Sequence, residues 1–144
     1  MILFKDVQTK VKDLLAAGSY FSGQTVIADA GDSEPAAEQA LRERGICLIV
    51  LPIISARRID HGKAIVTAQV DVAVQLLFNP IVNAAHAQKG IGESISASFS
   101  YVLAWQNPKM PQDRFNAGEQ PVQLIDIDEG LVAYGLFFEK LCIL

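Results

Sequence analysis

The stretch that most limits what this chain can fold into runs from Ala64 to Asn79, AIVTAQVDVAVQLLFN. Its even positions are Ala64, Val66, Ala68, Val70, Val72, Val74, Leu76 and Phe78, and the odd positions between them include Thr67, Gln69, Asp71, Gln75 and Asn79. Successive side chains of a strand point to opposite faces, so the pattern predicts one long strand with an apolar face and a mostly polar one. At about 3.3 Å per residue it would reach roughly 45–50 Å, where strands usually span ~17–20 Å. A single domain of this length should be only about 30 Å across, from an expected radius of gyration of roughly 14–15 Å. The expectation is therefore a strand that bends, or leaves the body in a β-ribbon and is completed by another molecule.

The flanking sequence supplies the other layers. Leu3, Val7, Val11, Leu14 and Leu15 recur at helical spacing and predict an amphipathic helix that ends before Gly18. Thr25 to Ala30 reads as a short strand, and Glu34 to Arg44 as a second helix with acids early, arginines late and Gly45 as its stop. ICLIVLPII, Ile46 to Ile54, is apolar throughout and predicts a strand covered on both faces, with Pro52 marking an edge, a bulge or the strand's end. Ser55 to Lys63 is a polar hairpin loop that feeds the long strand. A third helix is expected from Gly92 to Gln106, with Ile91, Ile95, Phe99, Val102 and Leu103 as its apolar stripe and several serines small enough for close packing on a sheet. Asn107 to Gln120 has two prolines and no periodicity, and reads as a surface loop. Pro121 to Ile127 and Leu131 to Ile143 are two strands joined at Asp128-Glu129-Gly130, the second apolar on both faces and so central. The order α-β-α-β-β-α-β-β predicts a single α+β domain over residues 1–144, with a mostly antiparallel twisted sheet, helices packed on one face and a projecting β-hairpin.

Composition narrows the function classes. Hydrophobic residues make up 51% and charged residues 19% of 144 residues, against roughly 45–50% and 25% in ordinary domains. That balance suits a protein that hides surface in a partner. A formal net charge of −4 argues against an electrostatic nucleic-acid binder, which needs a basic face. Cys47 and Cys142 lie in apolar runs, outside any CxxC pair, and are expected to be small buried hydrophobes. The amino terminus carries no signal-peptide pattern and no apolar run approaches 18 residues, so a cytoplasmic protein without a membrane span is the expectation.

Catalytic motifs are absent. His61 and His86 lack HxH, HxxxH or HExxH partners, and no GxSxG, GxGxxG or Walker sequence occurs. Asp29, Asp32 and Glu34 could bind a hard cation, but capping of the following helix explains them more simply. Asp126, Asp128 and Glu129 suit a solvated turn. No catalytic residue, cofactor or metal is therefore expected. The densest basic spot is the hairpin tip of Arg57, Arg58, His61 and Lys63, the candidate contact with an acidic surface on a neighbour.

The opening FKDVQTKVKDLL, the strand VDVAVQLLFNPIVN, the helix GESISASFSYVLAWQ and the hairpin PVQLIDIDEGLVAYGLFFEKL together give a pattern that resembles the tail terminator and tail-completion proteins of long-tailed bacteriophages, and related head–tail joining proteins. The helix at Glu34 to Arg44 departs from the simplest members. The resemblance implies a non-enzymatic ring, typically of six subunits, that caps the tail tube and later faces the head. Its partners would be copies of itself and tail tube or neck proteins, its place the host cytoplasm during assembly and then the virion tail. DNA would pass through without being read, for which a neutral or acidic lumen is suited. Two other readings stand beside it: a small-molecule-binding or enzymatic α+β domain using groups such as Asp29, Asp32 and His61, and an adaptor module that pairs a strand with a peptide.

Overall fold

The strand anticipated at the centre of the sequence is β4, Thr67–Phe78, and its even residues from Ala68 to Phe78 are all buried. The structure, a computed structural model, describes residues 1–59, 65–128 and 130–144. The chain order begins α1 (Phe4–Ala17), a 3-10 turn (Ser19–Phe21), β1 (Thr25–Ala28), α2 (Glu34–Glu43), β2 (Ile46–Val50), β3 (Ala56–Arg58) and β4. It continues with α3 (Pro80–His86), α4 (Ile91–Ala104), β5 (Gln106–Asn107), β6 (Met110–Asp128) and β7 (Leu131–Ile143). The result is a single α+β domain. Among the described residues a curled, mostly antiparallel sheet of seven strands forms half a barrel, with order β1-β2-β4-β7-β6-β5 and β3 pairing β4 beside β2.

Of the two outcomes its length allowed, β4 takes the first: it stays within the curled sheet, and the expectation that another molecule completes it is corrected. One edge pairs with β7 over its whole span, from Thr67 opposite Ile143 to Phe78 opposite Val132. Its other edge is shared by β2, opposite Val74 to Phe78, and by β3, opposite Ala68 to Val70. The strand is long because two short neighbours share one side of it and the sheet curls. The extended ribbon is instead the β6–β7 hairpin.

Helices cover the sheet unequally. α1 buries Val7, Val11 and Leu15 against the even face of β4, where Ile46, Leu48, Val50, Leu136 and Phe138 also converge. Gln8 ties this helix to the strand ends, its Nε2 donating to the carbonyls of Asp29 and Val50 at 2.8 and 2.9 Å. α4 lies on the same face, but its closest line is Ser94, Ser98 and Val102 rather than the large apolar residues. The buried serine hydroxyls return to the helix's own carbonyls, Ser94 to Gly90 and Ser98 to Ser94. Small side chains let the backbone approach while Ile95 and Phe99 flank it, which leaves Leu103 exposed, contrary to the stripe expected. α2 packs on the opposite face, Ala37 and Ala40 against Cys47 and Ile49. All five residues of β2 are consequently buried, as a doubly covered strand requires.

Asn107 to Gln120 is not a loop. Most of it is the first half of β6, and Asn107 ends β5. Periodicity hides here because one of the inward positions is Asp113, two residues before Phe115, and because Pro108 falls in the β5–β6 turn while Pro111 is tolerated near the start of an edge strand.

Candidate assembly interface

β6 is held at its base by a buried charge. The core face of β7 runs Leu136, Phe138, Lys140, Cys142, so Lys140 occupies a position that alternation assigns to an apolar side chain. Its ammonium donates to Asp113 Oδ1 and to the Leu141 carbonyl, and lies 5.7 Å from the centroid of the Phe115 ring. Asn107 Nδ2 donates to the other Asp113 oxygen at 3.0 Å, and the amino-terminal nitrogen of Met1 stands 3.8 Å away. Burial alone would push the Asp113 carboxyl up; the bonds from Lys140 and Asn107 outweigh it and hold the group below its usual value. The pair sits where Phe115 lies opposite Lys140, and it pins β6 to β7 at that point.

Beyond the anchor, β6 emerges from cover. From Glu119 to Asp128 every residue is exposed, on both faces of the strand. Val122, Leu124, Ile125 and Ile127 show 39, 51, 49 and 68% of their surface, a run too dense to be scattered surface residues. The inner edge of this segment pairs with β7, whereas β5 meets β6 only at Met110 and Arg114. Among the described residues the outer edge from Phe115 to Asp128 therefore has no strand beside it. Two register shifts shape it. Between Ala117 and Val122 the chain gains residues around Gly118 to Pro121, and between Leu124 and Asp126 a bulge at Ile125 changes the phase of alternation. Val122, Leu124 and Ile127 stand opposite Leu136, Tyr134 and Val132, whereas Ile125, at the bulge, reaches over Gly135 on the other face. The sequence carries it as an apolar alternation that jumps by one residue, a legible signal of a bulged strand.

The residues proposed from sequence as an interface divide. Arg57 and Arg58 are exposed on β3, opposite Gln69 and Ala68. His61 and Lys63 lie outside the described residues. Arg57 borders a basin of about 310 Å³ with Ser55, Gln69, Asp71, Glu119 and Glu139. Asp71 and Glu139 stand directly opposite each other on β4 and β7. The guanidinium thus shares its surroundings with three carboxylates of its own chain, and this part of the sheet face is acidic rather than basic.

Groups with potential chemistry are dispersed. Asp29 accepts from the Gly31 N–H at 2.8 Å, and this bond, with help from Ser33, lowers its carboxyl. His86 is exposed at the end of α3. Burial pushes the Cys47 thiol up to about 12 and raises that of Cys142. Among the described residues no three His, Cys, Asp or Glu side chains are placed to hold a metal ion, and no helix is long and apolar enough to cross a membrane. No protein-family model matches the chain, and no curated protein matches its sequence significantly. Fold and surface together define the class: a single α+β domain with a curled half-barrel sheet, beyond whose end strands no further strand pairs among the described residues.

Proposed function

We propose that this chain is a non-enzymatic structural protein that assembles with copies of itself into a ring, and that the ring terminates or joins a bacteriophage tail. The observation that carries the assembly is the outer edge of β6 from Val122 to Ile127, which has no strand beside it among the described residues, with Val122, Leu124, Ile125 and Ile127 exposed along it. A strand edge with apolar side chains along it is a template for pairing with another chain. The tail assignment rests on the resemblance in the order of elements, and the acidic sheet face and net charge of −4 agree with DNA passing unread. Contacts with tube or neck proteins, and residence in the virion, belong to the same reading.

Sedimentation velocity across a concentration series, with negative-stain microscopy of the heaviest species, tests it. The expected result is a steep rise in mass to one closed, annular species. A chain that stays monomeric at its highest attainable concentration refutes self-assembly. If that monomer captures extended peptides, the strand-pairing adaptor reading takes its place.

A further inference from the structure

We infer, resting on the self-assembly proposed above, that the outer edge of β6 is completed by β3 of the next copy, so that successive subunits join head to tail. β2 and β3 run one after the other along the same edge of β4. β1 covers the far side of β2, and no strand covers the far side of β3 among the described residues. All three residues of β3 are exposed. The ladder goes one step further, the Ile59 N–H donating to the Thr67 carbonyl at 2.9 Å.

Exposed apolar area selects this edge. Eleven large apolar side chains are exposed among the described residues, and seven of them fall in two groups. Four are the β6 run. The other three, Ile54, Ile59 and Ile65, flank β3, and Ile54 is 94% exposed. β1, whose far side is also open, carries none of the eleven, its four residues being already partly covered. The hydrophobic gain follows the apolar area taken out of water, so β6 gains most beside the edge that still has isoleucines to bury.

Charge and geometry agree with this choice. Asp126 stands opposite Ala133 and Arg57 opposite Gln69, which in turn faces Leu141, so both charges lie on the sheet face away from α1 and α4. Asp71, Glu119 and Glu139 border Arg57 without an ion pair to it, and its donors remain available. Opposite charges across a strand pair are stabilising. β3 and β6 form opposite margins of the run β3-β4-β7-β6, so the contact joins unlike surfaces, the kind that closes into rings. β3 lies opposite Ala68 to Val70, whereas Val122 to Ile127 are level, through β7, with Val74 to Phe78. That offset tilts the strands against the ring axis, as closure of a sheet requires.

Charge exchange and cysteine linkage on the full chain test the pairing. Arg57→Glu and Asp126→Lys, both at exposed positions, should each raise the concentration at half-assembly several-fold in sedimentation velocity. The two changes in one chain should bring it back towards the wild-type value. For linkage, one copy carries Ile54→Cys or Ile59→Cys; the other carries Val122→Cys, Leu124→Cys or Ile127→Cys in turn, since the register between copies is open. Cys47 and Cys142 are fully buried and do not compete. Under mild oxidation a mixed disulfide should form with at least one β6 position, faster than either variant links to itself. Faster linkage of β6 variants to one another refutes the pairing with β3 and gives the edge to a second β6. Absence of any mixed disulfide, or indifference of assembly to Arg57→Glu, in a sample that sedimentation shows to be assembled, refutes it while leaving self-assembly intact. A wild-type protein that never assembles removes both.

Discussion

Lys140→Met strips the cation from a carboxylate enclosed by protein. Asp113 is fully buried, and without Lys140 it retains only Asn107 Nδ2 at 3.0 Å and the distant Met1 amine at 3.8 Å. Breaking a buried pair from one side costs about 3–5 kcal/mol. The Asn107 bond persists, which places the expected loss near the lower bound, about 3 kcal/mol. For a domain of this size that corresponds to roughly 10 °C in Tm. The loss should depend on pH with a sign opposite to that of the native protein. In the native chain the folded Asp113 carboxyl lies below its ordinary value, so its contribution is complete above that value and disappears as pH falls through the folded one. In Lys140→Met burial is no longer outweighed and the carboxyl rises. The variant therefore loses stability as pH climbs past the ordinary carboxylate range, by up to ~1.4 kcal/mol for each pH unit until the raised value is passed. Urea unfolding followed by Trp105, the single tryptophan, whose ring lies 5.9 Å from Phe115, reads this region directly. Asp113→Leu combined with Lys140→Met should recover most of the loss, because an apolar pair leaves no charge stranded. A single variant that loses under about 1 kcal/mol, or a double variant no better than the single, would refute the account of the pair as a mutually dependent buried unit.

Two further outcomes follow from close packing. Gly18→Ala would place a Cβ 2.2 Å from the Tyr101 ring and displace the hydroxyl that accepts from the Tyr20 N–H at 2.8 Å; a loss of about 1–3 kcal/mol is expected, with Tyr101→Ala in the same chain showing strong coupling in a double-mutant cycle of urea midpoints. Cys47, its thiol raised to about 12 by burial, should stay unmodified by a maleimide or aromatic disulfide at pH 8 in the folded protein and react on unfolding; rapid native-state labelling traced to Cys47 by mass spectrometry would contradict its burial.

Local chemistry made several elements legible before any contact was known. Val7, Val11 and Leu15 repeat with the helical period, and β4 alternates without a break from Thr67 to Phe78, so their buried faces are written in the spacing of apolar residues. β2 is apolar at every position because α2 covers the face that α1 and α4 do not. Asp113 and Lys140 broke the same logic. Each looks like a surface residue, and each becomes a core residue only because the other stands across the β6–β7 pair to neutralise it. That is why the first half of β6 was unreadable as a strand. The interface suffered likewise: Arg57 looks like part of a basic tip until Asp71, Glu119 and Glu139 are brought around it.

Sequence alone determined the layers of this protein, since hydrophobic period is a property of neighbours along the chain. It also determined a strand from Pro121 to Ile127, though not that its apolar side chains stand exposed. Only the tertiary structure decided which strand stands at the edge, because edge or centre depends on which distant segments pair. β4, the longest alternating stretch, was enclosed by β2, β3 and β7, and the open edge passed to β6.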